Sequence, residues 1–409
     1  MQTRLADFIR DTPEGREAED ILRKCVHCGF CTATCPSYQV LGDDLDSPRG
    51  RIYLIKRALE GAPVSAKTQL HLDRCLTCRA CETTCPSGVR YGRLVDIGRG
   101  LVEARAQRGS FDRLVRRLIA LVLVRPRLFN ALVGLGRLAR PLLPAAVKAK
   151  IPGKGVTPRD WPAPRHARKM LALGGCVQPG LAPSINAAAA RVLDRFGISL
   201  VEAPRAGCCG ALRFHLNYQE EGRDDMRALI DVWWPLVERG EVEAIVMTAS
   251  GCGVTVKDYG HLLAHDPAYR DKAARIAGLT KDLAEVIPLD ALPSGIAAGR
   301  VAFHSPCTLQ HGQQIRGAVE SSLARVGFEL TPVRDAHLCC GSAGTYSLLH
   351  PAIAGELRSR KLAALNEGRP GQITTANIGC LTHLQGAAQL PVRHWIELLD
   401  EALQRKIPA

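Results

Sequence analysis

The chain has 409 residues, of which 46% are hydrophobic and 23% charged, with 38 Gly and 25 Pro. That is the makeup of a globular protein with room for two to three domains, and it excludes collagen, coiled coil and wholesale disorder. The formal net charge of +14 admits acidic proteins, phospholipid headgroups or nucleic acid as partners without choosing among them.

Apolar runs are short, Ile119 to Val124 being typical, so a membrane-spanning helix is not expected. Residues from Met1 to Asp20 are charged throughout and lack a signal-peptide core, which makes a cytoplasmic location the expectation. In a reducing compartment sixteen cysteines do not form a disulfide framework; they point to metal ligation.

Residues 1–105 carry eight of these cysteines in two clusters separated by helix-like patterning from Arg51 to Leu59, and read as a small helical domain. Both clusters follow C-x2-C-x2-C-x3-C-P: Cys25, Cys28, Cys31, Cys35 with Pro36, then Cys75, Cys78, Cys81, Cys85 with Pro86. Three closely spaced thiolates wrap a cubane, while the fourth cysteine, turned away by its proline, serves the other cluster. The expected assignment is therefore Cys25, Cys28, Cys31 and Cys85 on one [4Fe–4S] cluster and Cys75, Cys78, Cys81 and Cys35 on a second. Zinc has no use for the third close thiol. Arg49, Arg51, Lys56, Arg74 and Arg79 lie near the ligands in sequence, either raising the cluster potentials or forming a solvated basic face.

Residues 106–165 read as a basic amphipathic arm, from Phe111 to Phe129, followed by a Pro-rich linker from Pro141 to Pro164. Such an arm suits either a membrane interface or a contact with another domain or subunit. Gly134-Leu-Gly136-Arg-Leu-Ala139 imitates a dinucleotide fingerprint, but Pro141 interrupts the helix that would have to follow, and it is discarded. Nucleic acid is not expected as a partner.

From Lys169 onward, short apolar runs alternate with helix-like stretches, which argues α/β. The region is duplicated: Cys176, Cys208 and Cys209 recur 131 positions later as Cys307, Cys339 and Cys340, and Cys252 is answered by Cys380. The expected units are 166–295 and 296–409, packed about a pseudo-two-fold. Gly210 and Gly341, after each Cys-Cys pair, imply a positive φ or a close backbone approach. His27, His215, His304, His311 and His337 sit near these motifs and are read as hydrogen-bonding or surface residues rather than ligands.

The duplicated units resemble the Cys-Cys-Gly domains of heterodisulfide reductase catalytic subunits, whose pattern ends in C-x-x-C; here Ala249 and Asn377 stand where the first cysteine of that pair would be. Each unit thus has one thiol fewer, and an unusual iron–sulfur cluster, a zinc ion or a metal-free thiol core all remain open. From end to end the chain is similar to the iron–sulfur subunits of bacterial glycolate oxidases, through Leu5-Ala6-Asp7-Phe8, the residues Ile21 to Lys24 before Cys25, and Ser47-Pro48-Arg49-Gly50-Arg51-Ile52-Tyr53. The resemblance implies a non-flavin subunit of an oxidoreductase complex, with FAD in separate flavoprotein chains and a quinone or other carrier as acceptor. Lactate and anaerobic glycerol-3-phosphate dehydrogenases share this architecture, and a heterodisulfide-reductase-like thiol enzyme is the other alternative. No catalytic residue is expected in this chain.

Overall fold

The computed structural model describes residues 1–140 and 160–404. The N-terminal domain is helical, and its helices begin where the sequence supplies caps. Thr12 accepts from the Gly15 amide at 3.0 Å before the Pro13–Lys24 helix, and Ser47 does the same for Gly50 at 3.0 Å before Pro48–Leu59. A proline at the first helical position costs no hydrogen bond there. Ile21, Leu22, Ile55, Leu59 and Leu94 close the core between these helices and Tyr91–Arg105. The two motif prolines do different work: Pro36 opens a helix over Pro36–Leu41, whereas Pro86 lies in a turn closed by the Gly88 amide on the Cys85 carbonyl at 3.3 Å.

The arm forms two helices, Ser110–Val122 and Pro126–Ala139, bent by 101°. No single helix among the described residues is long and apolar enough to cross a membrane. The arm is docked. Arg108 binds Asp73 at 2.6 Å and Asp112 at 2.7 Å, Arg116 reaches Asp73 at 2.9 Å, and Val124 at the bend packs on Cys176 and Cys208. Gly134 to Ala139 lie inside the second helix, not at a strand–helix turn, which disposes of the dinucleotide fingerprint. Residues 141–159, with most of the Pro-rich linker, lie outside the described residues.

Two α/β units follow, each built on four parallel strands. β1 (Arg168–Ala172), β2 (Ile198–Glu202), β3 (Ala244–Met247) and β4 (Thr280–Asp282) are ordered β2-β1-β3-β4. β5 (Arg300–His304), β6 (Glu329–Leu330), β7 (Gln372–Thr375) and β8 (Val392–His394) repeat that order as β6-β5-β7-β8. The units share one core, in which Ile185, Val192 and Leu193 of the first meet Leu323, Trp395 and Leu399 of the second. Arg191 pairs with Asp400 at 2.7 Å across the joint, and Ser184 donates to Glu397 at 2.7 Å. In both units the cysteines follow the carboxyl ends of strands, the edge at which open parallel sheets bind ligands.

Candidate metal centre

The eight N-terminal thiols are all free and are sorted into two cavities. Cys25, Cys28, Cys31 and Cys85 line the first, with Pro48, Ile52 and Val89 among its apolar walls. Cys35, Cys75, Cys78 and Cys81 line the second. Cys81 and Tyr91 border both, so the cavities are neighbours. Tight spacing between the cysteines is met by left-handed backbone at His27, Gly29, Thr77 and Arg79, which turns amides inward; the Thr77 amide donates to Cys75 Sγ at 3.4 Å. The first cavity opens to solvent beside exposed Cys28, with Val26 and Phe30 projecting from its rim at 69% and 61% exposure.

Burial, with Cys25 beside it, pushes the Cys31 thiol up to about 11, and burial followed by the charge of Cys307 pushes Cys78 well above its ordinary value. Four thiols this close do not ionise together without a cation among them. Part of the compensating charge is permanent. Arg51 is buried, donates to the His71 carbonyl at 2.7 Å and to Ser37 at 3.0 Å, and pairs with buried Asp46 at 3.3 Å. Burial opposes its charge, but Cys75, Tyr91, Cys35 and Asp46 outweigh that and hold it protonated.

Arg74 and His71 also converge on Asp46, at 2.9 Å and 3.1 Å. Arg99 donates to the Cys75 carbonyl at 2.6 Å. Of the basic residues near the motifs, Arg49 and Arg79 line the first and second cavities, with carboxylate partners in Asp44 and Asp258. Lys56 lines neither cavity and pairs with Glu60 at the end of its helix. Asp46, His71, Tyr91 and Arg99 have no counterpart in the sequence reading, because their partners lie on other elements.

In the first Cys-Cys-Gly unit, Cys176, Cys208, Cys209 and Cys252 form a row of neighbouring thiols, each after the first raising the pKa of the one before it. The second unit repeats the row as Cys307, Cys339, Cys340 and Cys380, with Cys307 donating to Cys339 at 3.9 Å. Gly210 and Gly341 satisfy both expectations at once: φ is 82° and 90°, and a Cβ would stand 2.4 Å from the Gly222 carbonyl and 2.7 Å from that of Ala354. Asn377 donates to Cys380 Sγ at 3.6 Å while accepting from the Gly251 amide at 3.4 Å, which ties the second row to the first unit.

The rows face different neighbours. Cys176 and Cys208 lie under the arm, whereas Cys307 and Cys339 share a cluster with Leu76 and Cys78 of the second cavity. Thr83 and His311 meet at 2.9 Å, and Tyr346 donates to the Arg74 carbonyl at 3.2 Å, holding that contact.

The histidines divide. His311 binds Thr83 and the His337 carbonyl, His27 is exposed on its left-handed turn, and His215 lies edge-on to Phe214. His304 is not a surface residue: it is buried, and its ring nitrogen and the sulfurs of Cys340 and Cys380 lie within 4.8 Å of one another.

Residues 21–89 match the 4Fe-4S dicluster domain family, and 171–257 and 301–385 each match the Cysteine-rich domain family. Over 408 residues the chain is 54% identical to the glycolate oxidase iron–sulfur subunit of Escherichia coli (strain K12), covering 99% of this chain and 100% of that protein. The chain belongs to the family of glycolate oxidase iron–sulfur subunits. A second family member, the probable glycolate oxidase iron–sulfur subunit of Bacillus subtilis (strain 168), is 29% identical across 92% of this chain and 91% of its own length. Lactate utilization protein A of Geobacillus kaustophilus is 27% identical over 53% of this chain. The residues present suit the two clusters of the dicluster family: four thiols for each cavity, with Cys81 bordering both, apolar walls, and between them a buried Tyr91 hydroxyl with no hydrogen-bond partner among the described residues.

Proposed function

We propose that this chain is the electron-transfer subunit of a complex that oxidises glycolate to glyoxylate, relaying electrons from flavoprotein subunits to a quinone or another acceptor. The observation that carries this is the pair of adjoining four-thiol cavities, one open to solvent and one pressed against the second Cys-Cys-Gly unit. Cys25, Cys28, Cys31 and Cys85 would hold one [4Fe–4S] cluster, and Cys35, Cys75, Cys78 and Cys81 the other. Each cluster, when bound, supplies reversible one-electron transfer.

The chain's own residues set the terms. Arg51 keeps a fixed positive charge beside Cys35 and Cys75, favouring the reduced, more negative state. Val26 and Phe30 offer an apolar rim on which a flavoprotein partner docks next to Cys28. FAD, which takes the electron pair from the hydroxyacid, belongs to that partner.

The complex sits in the cytoplasm on the inner face of the membrane. Support comes from the arm, where Phe111, Leu114 and Leu118 on one helix and Leu132, Leu135 and Leu138 on the other are exposed, flanked by exposed Arg113, Arg117, Arg125 and Arg127. Anaerobic isolation from the native host, with identification of the bound chains and addition of glycolate, tests the reading. A flavoprotein should accompany the chain and glycolate should bleach its clusters. Isolation of a complex without any flavoprotein refutes the role.

A further inference from the structure

The two Cys-Cys-Gly units differ in what lies behind their thiols. In the first, Leu173, Met247 and Ile230 pack in one apolar cluster with Cys209. The duplication puts His304 at the place of Leu173, three residues before the first cysteine of its unit, and Lys361 at the place of Ile230, 131 positions on. Thr375 ends β7 as Met247 ends β3. Three apolar residues have therefore been exchanged for three polar ones in a buried place: His304 is 1% exposed, Thr375 0% and Lys361 3%.

A buried polar group costs free energy unless it finds a partner. Lys361 has found one, donating to the Asp335 carbonyl at 2.7 Å. His304 Nε2 and Thr375 Oγ1 have none among the described residues. The two are register partners on neighbouring strands, so their side chains leave the sheet on the same face. On that face the ligand atoms of His304, Cys340 and Cys380 all lie within 4.8 Å of one another, and all three residues are buried.

We propose that His304 Nε2 is a metal ligand and that, with Cys340 and Cys380, it holds a metal centre in the second unit. The imidazole supplies the donor that Asn377 does not, and Asn377 becomes instead a hydrogen-bond donor to the Cys380 thiolate. One imidazole and two thiolates form a borderline-soft set suited to Zn²⁺ or to iron. Lys361, buried nearby, offsets the thiolate charge. The first unit has Leu173 in place of the nitrogen donor, so the duplicated units have diverged into one metal-bearing and one thiol-lined site. None of this depends on the substrate of the complex.

The test uses the complex isolated without exposure to air, with metals counted by mass spectrometry. Wild type should hold about one zinc, or iron in excess of the roughly eight atoms of two cubanes. His304→Leu, which installs the first unit's residue, should lower the surplus metal at least tenfold while the eight irons remain, and Cys252→Ser should leave the surplus unchanged. Absorption at the zinc edge, or nitrogen hyperfine coupling if the surplus is iron, should show imidazole bound in the wild type. A wild type with no surplus metal, a His304→Leu variant that keeps it, or a centre bound by sulfur alone would each overturn the site. If His304→Leu fails to fold and loses all its iron, the wild-type spectrum decides: imidazole upholds the site and sulfur alone refutes it.

Discussion

At the scale of single residues, the crossing of the two cysteine motifs is the feature most open to test. Cys85 is the last cysteine of the second motif yet shares a cavity with Cys25, Cys28 and Cys31, while Cys35, the last of the first motif, stands in the other. Replacing Cys85 by Ser should therefore disturb the cluster of the first motif and leave the second largely intact, read as paramagnetic resonance of the reduced protein; the opposite pattern refutes crossed ligation. Arg51 makes a second test. Arg51→Gln leaves buried Asp46 with Arg74 and His71 as partners, so the cost falls below the about 3–5 kcal/mol of a buried charge left with none. The denaturation midpoint should fall accordingly, and the potential of the cluster beside Cys35 should shift negative in a redox titration. An unchanged potential would make Arg51 purely structural. The cysteines were legible because ligand spacing is a local pattern. Asp46, His71 and Arg99 were not, since the groups they bind come from other helices and only folding brings them together. His304 left one trace in the sequence, a histidine aligned by the duplication with a leucine.

At the scale of elements, the patterning from Arg51 to Leu59 made that helix readable while its cap at Ser47 emerged from the structure, and the repeated order of the two sheets follows from a duplication visible in the cysteines alone. The arm was half legible. Its amphipathicity announces a buried face and another surface in need of a partner, but periodicity does not say what covers either. The folded chain answers the first part: Arg108, Arg116 and Val124 anchor the arm onto the N-terminal domain and the first thiol row. The outer face keeps its leucines exposed, and basic residues near an anionic surface add about 1 kcal/mol each. The intact complex should bind anionic vesicles at low salt and be released as salt screens the attraction. Leu114→Ser with Leu118→Ser should weaken that binding several-fold without changing iron content. Failure of the wild-type complex to bind anionic vesicles assigns the face to another subunit.

At the scale of the whole molecule, the arrangement separates two kinds of chemistry. Oxidation of a hydroxyacid needs a two-electron acceptor and a base at the substrate, whereas thiol cavities of this kind hold one-electron centres. The chain alone should accordingly show no glycolate dehydrogenase activity. In the assembled complex, Cys28→Ser and Cys78→Ser should each block reduction of the final acceptor while glycolate still reduces the flavin, because Cys28 faces the solvent side of the relay and Cys78 the side pressed against Cys307. Stopped-flow spectra that follow flavin and cluster absorbance separately make the distinction. Loss of flavin reduction in both variants, in complexes that retain their flavin, would place substrate chemistry in this chain and overturn the relay. If the complex ignored glycolate but responded to lactate or glycerol 3-phosphate, the two-cavity relay would stand and the substrate alone would change, since none of the residues that build the cavities is asked to recognise it.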